Sequence, residues 1–354
     1  MATRAMRFTV LNSLVLFPSV VMALARWGPT PEHSASSLKA LVDAKENIKT
    51  IDVLSLQSIR SSLIRQEETI IFALIERAQF RANSIVYRRG GFGKLGIPAG
   101  SFPVDGEELS FMEYMLVGTE VLHSAVRRYT SPEEHPFFPE RIPDQPMDLL
   151  PSLQYPHDLL SSSGGADQVN FNKKLLQKYI DNIVPWITKK GDDEQHGSTV
   201  LCDIAVLQAL SRRVHYGKFV AESKYRSDPE SYQRLVDAGD ADGVMQLLTN
   251  QEVEEQVLRR ARLKAATYGT EPLLSHMPRI ECSDTATIVA QAAASAVVAA
   301  LEAINSKDQG FENKVDPTVI ESVYRDIIIP MTKDIEVAYL FLRCGRHPPA
   351  EFMP

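Results

Sequence analysis

Between Val53 and Phe80, apolar residues return at steps of three and four: Leu56, Ile59, Leu63, Ile70 and Leu74. That spacing follows the 3.6-residue helical repeat and predicts a helix with one buried face. The same period recurs over about 107–129, 170–188, 199–224, 229–238, 240–248 and 251–268. An Ala-rich helix over about 285–304 follows, and a last one spans about Pro317–Leu342. Pro330 predicts a kink in that last helix, because proline has no N–H to donate and its ring crowds the preceding turn. Breakers separate the periodic runs. Residues 26–50 carry Pro29, Pro31 and Ser34-Ala35-Ser36-Ser37 and read as a linker. Arg88–Gly100 is glycine-rich, and Pro132, Pro136 and Pro139 open a long loop running to about Ala166. Strand-like alternation is scarce and there is no internal repeat. The pattern predicts one all-α, multi-helix domain over about 51–345.

The first 25 residues have a different layout. Arg4 and Arg7 precede a mostly apolar run, Phe8–Ala25, ending in the small-residue site Ala23-Leu24-Ala25. This is the pattern of a signal or targeting segment and points to a secretory route or the start of a complex-plastid address. A disordered extension on a cytoplasmic protein is the alternative. No other stretch reads as a membrane span: the Ala/Val-rich run Thr285–Ile304 is interrupted by Gln291, Ser295 and Glu302. The mature protein is therefore expected to be free of the membrane.

Composition narrows the function. Over 354 residues, 44% are apolar, enough for a sizeable core, and the net charge of -7 leaves no basic excess for a general nucleic-acid partner. Cys202, Cys282 and Cys344 form no CxxC pair or His-rich cluster, so no metal is expected, and Cys202 reads as a small core residue. No GxSxG, HExxH or GxxxxGK[ST] is present; Gly90-Gly91-Phe92-Gly93-Lys94 has the wrong spacing for a phosphate loop and reads as a turn. Neither a nucleophile nor a cofactor site emerges.

Positive charge does appear in one unusual place. In Leu210–Lys224, Arg213 and Lys224 are eleven residues apart, which on a helix is three turns plus about 20°. Both fall on a stripe shared with Val206, Leu210, Gly217 and Val220, with Cα atoms roughly 16 Å apart along the axis. Two inward cations leave a gap sized for a small molecule, with Gly217 giving it room. A buried cation needs an anion, from the protein or from a ligand; an internal ion-pair network, or side chains snorkelling to the surface, is the competing reading. Two i,i+4 polar pairs add candidates: Asn250 with Glu254, and Thr332 with Glu336. Against them, Thr249 or Asn250 caps a helix, Glu252 completes a capping box, and both glutamates are solvated. Arg60 borders the apolar row of Ile59 and Leu63, where a rim salt bridge is the plain alternative.

Four ordered blocks carry a family resemblance: Leu54–Arg60, Ser131-Pro132-Glu133-Glu134-His135-Pro136-Phe137-Phe138-Pro139, Leu210–Lys224 and Ile329–Glu336. Together they resemble the eukaryotic (fungal and plant) AroQ-type chorismate mutases over about 52–343, with about 270–312 as a family-variable insertion. The resemblance implies a homodimeric all-α enzyme that rearranges chorismate to prephenate, a step toward phenylalanine and tyrosine, without cofactor or metal. It implies that Arg60 and Arg213 clamp the substrate carboxylates and that Lys224 and a protonated Glu336 approach the ether oxygen. Glu254 would accept from the ring hydroxyl, and Asn250 and Thr332 would complete the cage. It also implies an effector site for tyrosine or tryptophan at the dimer interface, with Arg127 and Arg128 as paired arginines and Gly197-Ser198 as a loop-to-helix turn. Here the chain departs from the fungal pattern: Leu201 replaces a threonine, and Glu194 and Gln195 replace asparagines. In the plain alternative, Arg127 and Arg128 merely end a helix. Two other readings remain: an inactive helical binding protein that kept the fold, and a secreted mutase acting on a host's chorismate.

Overall fold

Helix α1, Leu56–Arg77, starts where Ser55 turns extended and its Oγ accepts from the Ser58 N–H at 3.2 Å. The computed structural model describes residues 54–91, 109–143, 159–269 and 314–354. The leading segment, the 26–50 linker, the insertion over about 270–312, its Ala-rich helix and Cys282 lie outside the described residues. Helix α2, Phe111–Ala125, opens with a full capping box: Ser110 Oγ accepts from the Glu113 N–H, and the Glu113 carboxylate accepts from the Ser110 N–H. Reciprocal capping satisfies two donors that would otherwise be orphaned, and it starts the helix four residues later than periodicity predicts.

Next come α3, Asn172–Lys178, and α4, Val184–Ile187, joined by a π turn over Tyr179–Ile183. Helices α5, His196–His215, and α6, Gly217–Ser227, follow, separated only by Tyr216. Tyr216 keeps right-handed dihedrals (φ -63°, ψ -15°). The single helix expected over about 199–224 is therefore two, yet its facial pattern survives the join. Then come α7, Pro229–Asp237, α8, Ala241–Leu248, α9, Gln251–Gly269, and α10, Pro317–Val323. A second π turn, Tyr324–Ile328, leads into α11, Ile329–Arg343. Among the described residues there is no strand.

The two π turns share one cause. Pro185 and Pro330 each lie two residues beyond a π turn, near the N-terminus of the following helix. A proline within a helix leaves the carbonyl four residues back without a donor and presses its ring against that carbonyl. One widened turn absorbs both problems. The disturbance expected at Pro330 takes the form of the π turn just before it.

The unit from Val53 to Pro354 is compact. Helix α1 packs along α5, α9 lies against α1 and α10, and α11 runs against α6 and α5. The main core includes Ile70, Leu74, Met112, Leu116, Leu207, Leu210, Ile328 and Ile335, all buried. A second cluster, with Tyr232, Val244, Leu248, Val337 and Leu340, fills the space beneath α7 and α8. A buried polar knot pins α1 to α5. Arg77 Nε pairs with Asp203 at 2.6 Å, and Asp203 also accepts from Tyr179 Oη at 2.6 Å and Tyr87 Oη at 2.8 Å. A buried ion pair costs desolvation unless further hydrogen bonds occupy its lone pairs, and here they do. Cys202, beside this knot, is partly exposed; its expected place in the core is corrected.

Candidate active site

Helices α1, α5, α6, α9 and α11 converge on a cavity of about 140 Å³. Its walls include Leu63, Val220, Leu248, Val253, Val257 and Ile329, and its charged lining consists of Arg213, Lys224, Glu254, Lys333 and Glu336. Asn250 and Thr332 complete the polar part. Six of the seven residues expected to act on substrate therefore share one hollow. Arg213 comes from the last turn of α5 and Lys224 from α6, as the eleven-residue spacing requires.

Arg60 is the exception. It is exposed and lies outside the cavity lining, one turn before Leu63 on α1. In this structure the clamp of two arginines is not assembled, because the start of α1 presents Arg60 to solvent while Ile59 turns into a small cluster with Leu54 and Phe219.

Arg213 is only 6% exposed, and its Nε and Nη1 have no hydrogen-bond partner. Its nearest carboxylate candidates are committed elsewhere or neutralised. Glu67 is held in a fork by Arg260, at 2.7 and 2.6 Å, with Lys264 Nζ at 3.5 Å. Burial draws the Arg213 guanidinium below its ordinary value, only partly offset by Tyr324, Glu67 and Glu336. The Tyr324 hydroxyl beside it is also buried without a partner. An unpaired buried guanidinium costs several kcal/mol by order of magnitude, so this site is built to receive an anion.

Glu336 is 6% exposed, and burial pushes its carboxyl up to about 7, against the pull of Lys224, Arg213 and Lys333. At neutral pH a large fraction is protonated and can donate a hydrogen bond. Thr332 Oγ donates to the Ile328 carbonyl at 2.6 Å, leaving its lone pairs as acceptors. Lys224 Nζ donates to the Leu248 carbonyl, which ties α6 to the end of α8.

The α9 pair behaves partly as its plain alternative says. Asn250 Oδ1 accepts from the Val253 N–H at 3.1 Å and so caps the helix, yet Asn250 also lines the cavity. Thr249 does not cap; its hydroxyl donates to the Met245 carbonyl at 2.7 Å. Glu254 is not free: its Oε1 pairs with Lys333 Nζ at 2.7 Å. Lys333 was missed by the sequence reading, although it sits between Thr332 and Glu336 in a block already singled out. Its only signal was a basic residue three positions before a glutamate on the same helix.

Gly217 has a different role from the one expected. It is not in the cavity lining. A Cβ there would stand 2.9 Å from Thr332 Cγ2, 3.0 Å from the Thr332 carbonyl oxygen and 3.2 Å from Glu336 Cγ. The missing side chain makes room for α11, not for a ligand, and sets how deeply Thr332 and Glu336 reach. We expect Gly217→Ala to lower the thermal midpoint. Overpacking costs about 1–3 kcal/mol, more than the ~1 kcal/mol alanine gains over glycine in a helix. An unchanged midpoint in a melting curve would show that α11 can yield.

Comparison with known proteins agrees with this site. The family profile described as "Chorismate mutase type II" matches residues 197–337. The chain is 38% identical to chloroplastic chorismate mutase 1 of Arabidopsis thaliana over 318 residues, covering 90% of this chain and 83% of that one. It is 38% identical to the chorismate mutase of Schizosaccharomyces pombe over 291 residues, covering 82% and 96%. The chain belongs to the chorismate mutase family. A solved chorismate mutase of Candida albicans, in complex with L-Trp, superposes with a TM-score of 0.65 at 35% identity, covering 84% of this chain and 95% of that one. AtCM1 with tyrosine bound in its allosteric site gives 0.61 at 37%, covering 82% and 97%. The 197–337 match contains every charged and polar lining residue of the cavity, and Arg60 lies outside it.

The expected effector residues are not gathered in one place within the chain. Arg128 lies just past α2, where its Nε pairs with Glu134 at 3.0 Å and its Nη1 donates to the side-chain oxygen Oε1 of Gln208 at 3.2 Å. Glu134 also binds Arg212, so the 131–139 block is strapped to α5. Arg127 takes a left-handed conformation (φ 55°). Gly197 and Ser198 are exposed at the start of α5, eleven and ten residues before Gln208, or ~15 Å along the helix.

Proposed function

We propose that this protein is a chorismate mutase, converting chorismate to prephenate by an intramolecular Claisen rearrangement. The observation that carries the reading is Arg213: a buried guanidinium with unused donors, facing the same hollow as a carboxyl poised near neutrality. Chorismate carries two carboxylates and an ether bridge. A planar guanidinium fork suits one carboxylate in bidentate fashion. Apolar walls and a narrow volume favour the folded conformer in which the carbons to be joined approach. As the C–O bond breaks, negative charge grows on the ether oxygen, where Lys224 and protonated Glu336 act as fixed donors in a dry pocket. Glu254 accepts from the ring hydroxyl, Asn250 Nδ2 donates, and Arg60 joins the clamp when substrate draws it in. No covalent intermediate or cofactor enters this scheme.

The test is direct. Purified protein mixed with chorismate should produce prephenate as chorismate disappears. Loss of chorismate without prephenate, or no loss, overturns the assignment and returns the chain to the class of helical binding proteins.

Regulation by aromatic amino acids is part of the same proposal, supported by relatives solved with tyrosine, phenylalanine or tryptophan in place. Arg127, Arg128, Gly197 and Ser198 would have to meet across a pair of subunits, so an effector response and a homodimer stand or fall together. The plant relatives are chloroplastic, which favours a plastid route for the leading segment over a secreted or cytosolic enzyme. Among the described residues, no helix is long and apolar enough to cross a membrane, and no metal-ligand cluster is present.

A further inference from the structure

Helix α6 meets α11 at two places. At the first, Gly217 abuts Thr332 and Glu336. At the second, Glu222 is buried and its carboxylate accepts from both helices. From α11, Tyr339 Oη donates to Glu222 Oε2 at 2.7 Å, while Arg343 donates Nε to Oε2 at 2.6 Å and Nη2 to Oε1 at 3.1 Å. From α6 itself, Arg226 Nε donates to Oε1 at 2.7 Å. Burial alone would raise this carboxyl, yet the bonds from Arg343, Tyr339 and Arg226 hold it below its ordinary value. A buried carboxylate gripped this way cannot slide without leaving charged donors unpaired. Glu336, Tyr339 and Arg343 recur at steps of three and four, so they share one stripe of α11. Lys224 lies two residues beyond Glu222, a rotation of about 200° on a helix, so the grip and the cavity use opposite sides of α6. The tip of Lys224 rests on the Leu248 carbonyl, but the root of its side chain is placed by α6.

We propose that Glu222 is a positioning residue that locks α6 against α11 and thereby fixes the spacing between the Lys224 ammonium and the Glu336 carboxyl. This rests on the reading of the site as a chorismate mutase centre, in which those two groups converge on one oxygen. Donors held in place before the reaction need no reorganisation during it. The charged groups that face Glu336 are Lys224 from α6, Arg213 from α5, Lys333 from its own helix and Glu254 from α9. The Tyr232 phenol of α7 also feels the Glu336 charge. Of the charges that lower the Glu336 carboxyl against burial, Lys224 acts most strongly. A retreat of α6 therefore weakens that pull and lets the carboxyl rise. Loss of the Glu222 charge by itself acts the other way, because removing an anion makes a neighbouring carboxyl easier to ionise. The sign of the shift separates position from charge.

Carbon-13 NMR of the full-length unliganded protein, with glutamate labelled at its carboxyl, follows the Glu336 titration, and Glu336→Gln assigns the signal by its loss. Glu222→Gln keeps the shape and removes the charge. It should move the Glu336 midpoint up by about half a pH unit, a fraction of the roughly 1–3 units that a nearby opposite charge exerts. On the acid side kcat/KM should fall about tenfold, mostly in kcat, as a small misplacement of the reacting groups requires. Its alkaline inflection should move up with the NMR midpoint. Tyr339→Phe changes no charge and should move both in the same direction by less. Arg226→Met leaves both α11 donors in place and should leave the midpoint unchanged; a shift there equal to that of Glu222→Gln would assign the effect to α6 alone and overturn the proposal. A midpoint that stays or falls in Glu222→Gln, with or without a loss of rate, shows a residue acting only through packing or its own charge, and also overturns it. Circular dichroism identifies a folding defect in Glu222→Gln, and Tyr339→Phe then decides by the same criterion. Failure of the mutase reading appears separately, as a parent protein that does not turn over chorismate although its Glu336 midpoint still responds to Glu222→Gln.

Discussion

Replacing Arg213 with methionine should lower kcat/KM about a thousandfold while raising, or leaving unchanged, the thermal midpoint of the unliganded protein. The two signs come from one fact. In the absence of ligand the guanidinium is 6% exposed with Nε and Nη1 unpaired, so it is a cost to the fold, and a methionine of similar length removes that cost. In the complex the same donors meet a carboxylate, and truncating one partner of a buried charge pair costs about 2–5 kcal/mol. Four kcal/mol, mid-range, is close to a thousandfold in kcat/KM. Arg213→Lys separates charge from geometry. It keeps the cation but loses the planar fork, and should recover part of the rate. Chorismate or prephenate should raise the midpoint of the parent protein and barely move that of Arg213→Met, because only a ligand that binds the folded form stabilises it. Rates within tenfold of the parent, or a midpoint several degrees lower, would show that a protein carboxylate, not a ligand, completes Arg213.

The parts of this site legible from sequence are those that one helix can encode. Arg213 and Lys224 share a stripe because eleven residues nearly close three turns, and the break at Tyr216 preserves that stripe because its dihedrals stay right-handed. Thr332 with Glu336, and Asn250 with Glu254, were visible as i,i+4 pairs for the same reason. What needed two or more helices was not legible. Gly217 reads as space for a ligand on its own helix, yet its neighbour is α11. Lys333 looks like a solvated charge until α9 brings Glu254 to it. Arg77 and Asp203, 126 residues apart, carry no sequence sign of their buried pairing. Arg128 is an unremarkable helix-end cation in sequence, and its bond to Glu134 depends on how a proline-rich loop folds back. The π turns show a third case. Pro185 and Pro330 announce a disturbance, but whether it becomes a bend or a widened turn is settled by packing.

Glu336→Gln should convert a falling pH profile into a flat one. Burial holds the Glu336 carboxyl up at about 7, with Lys224, Arg213 and Lys333 resisting. The form that donates to the ether oxygen is the protonated one, so activity requires the acid. Its population is nearly complete at pH 5, about half at pH 7, and roughly 1% at pH 9 for a group titrating near 7. Accordingly kcat/KM, which reports the free enzyme, should fall about tenfold per pH unit above neutrality. Glutamine is a neutral donor of nearly the same shape and has nothing to lose. The variant should fall below the parent at pH 5, because a carboxylic acid donates more strongly than an amide, and exceed it by tens of fold at pH 9. The crossing of the two profiles is the decisive reading, and ordinary steady-state assays between pH 5 and 9 supply it. A glutamine variant that keeps the parent's inflection would move the titration to another group. One that is inactive throughout would mean that this position contributes a carboxylate, not a hydrogen donor. Either result would leave Arg213 as the anion site and reverse the electrostatic sign assigned to the far wall of the cavity, where Lys224 would then face a charge instead of working beside a neutral acid.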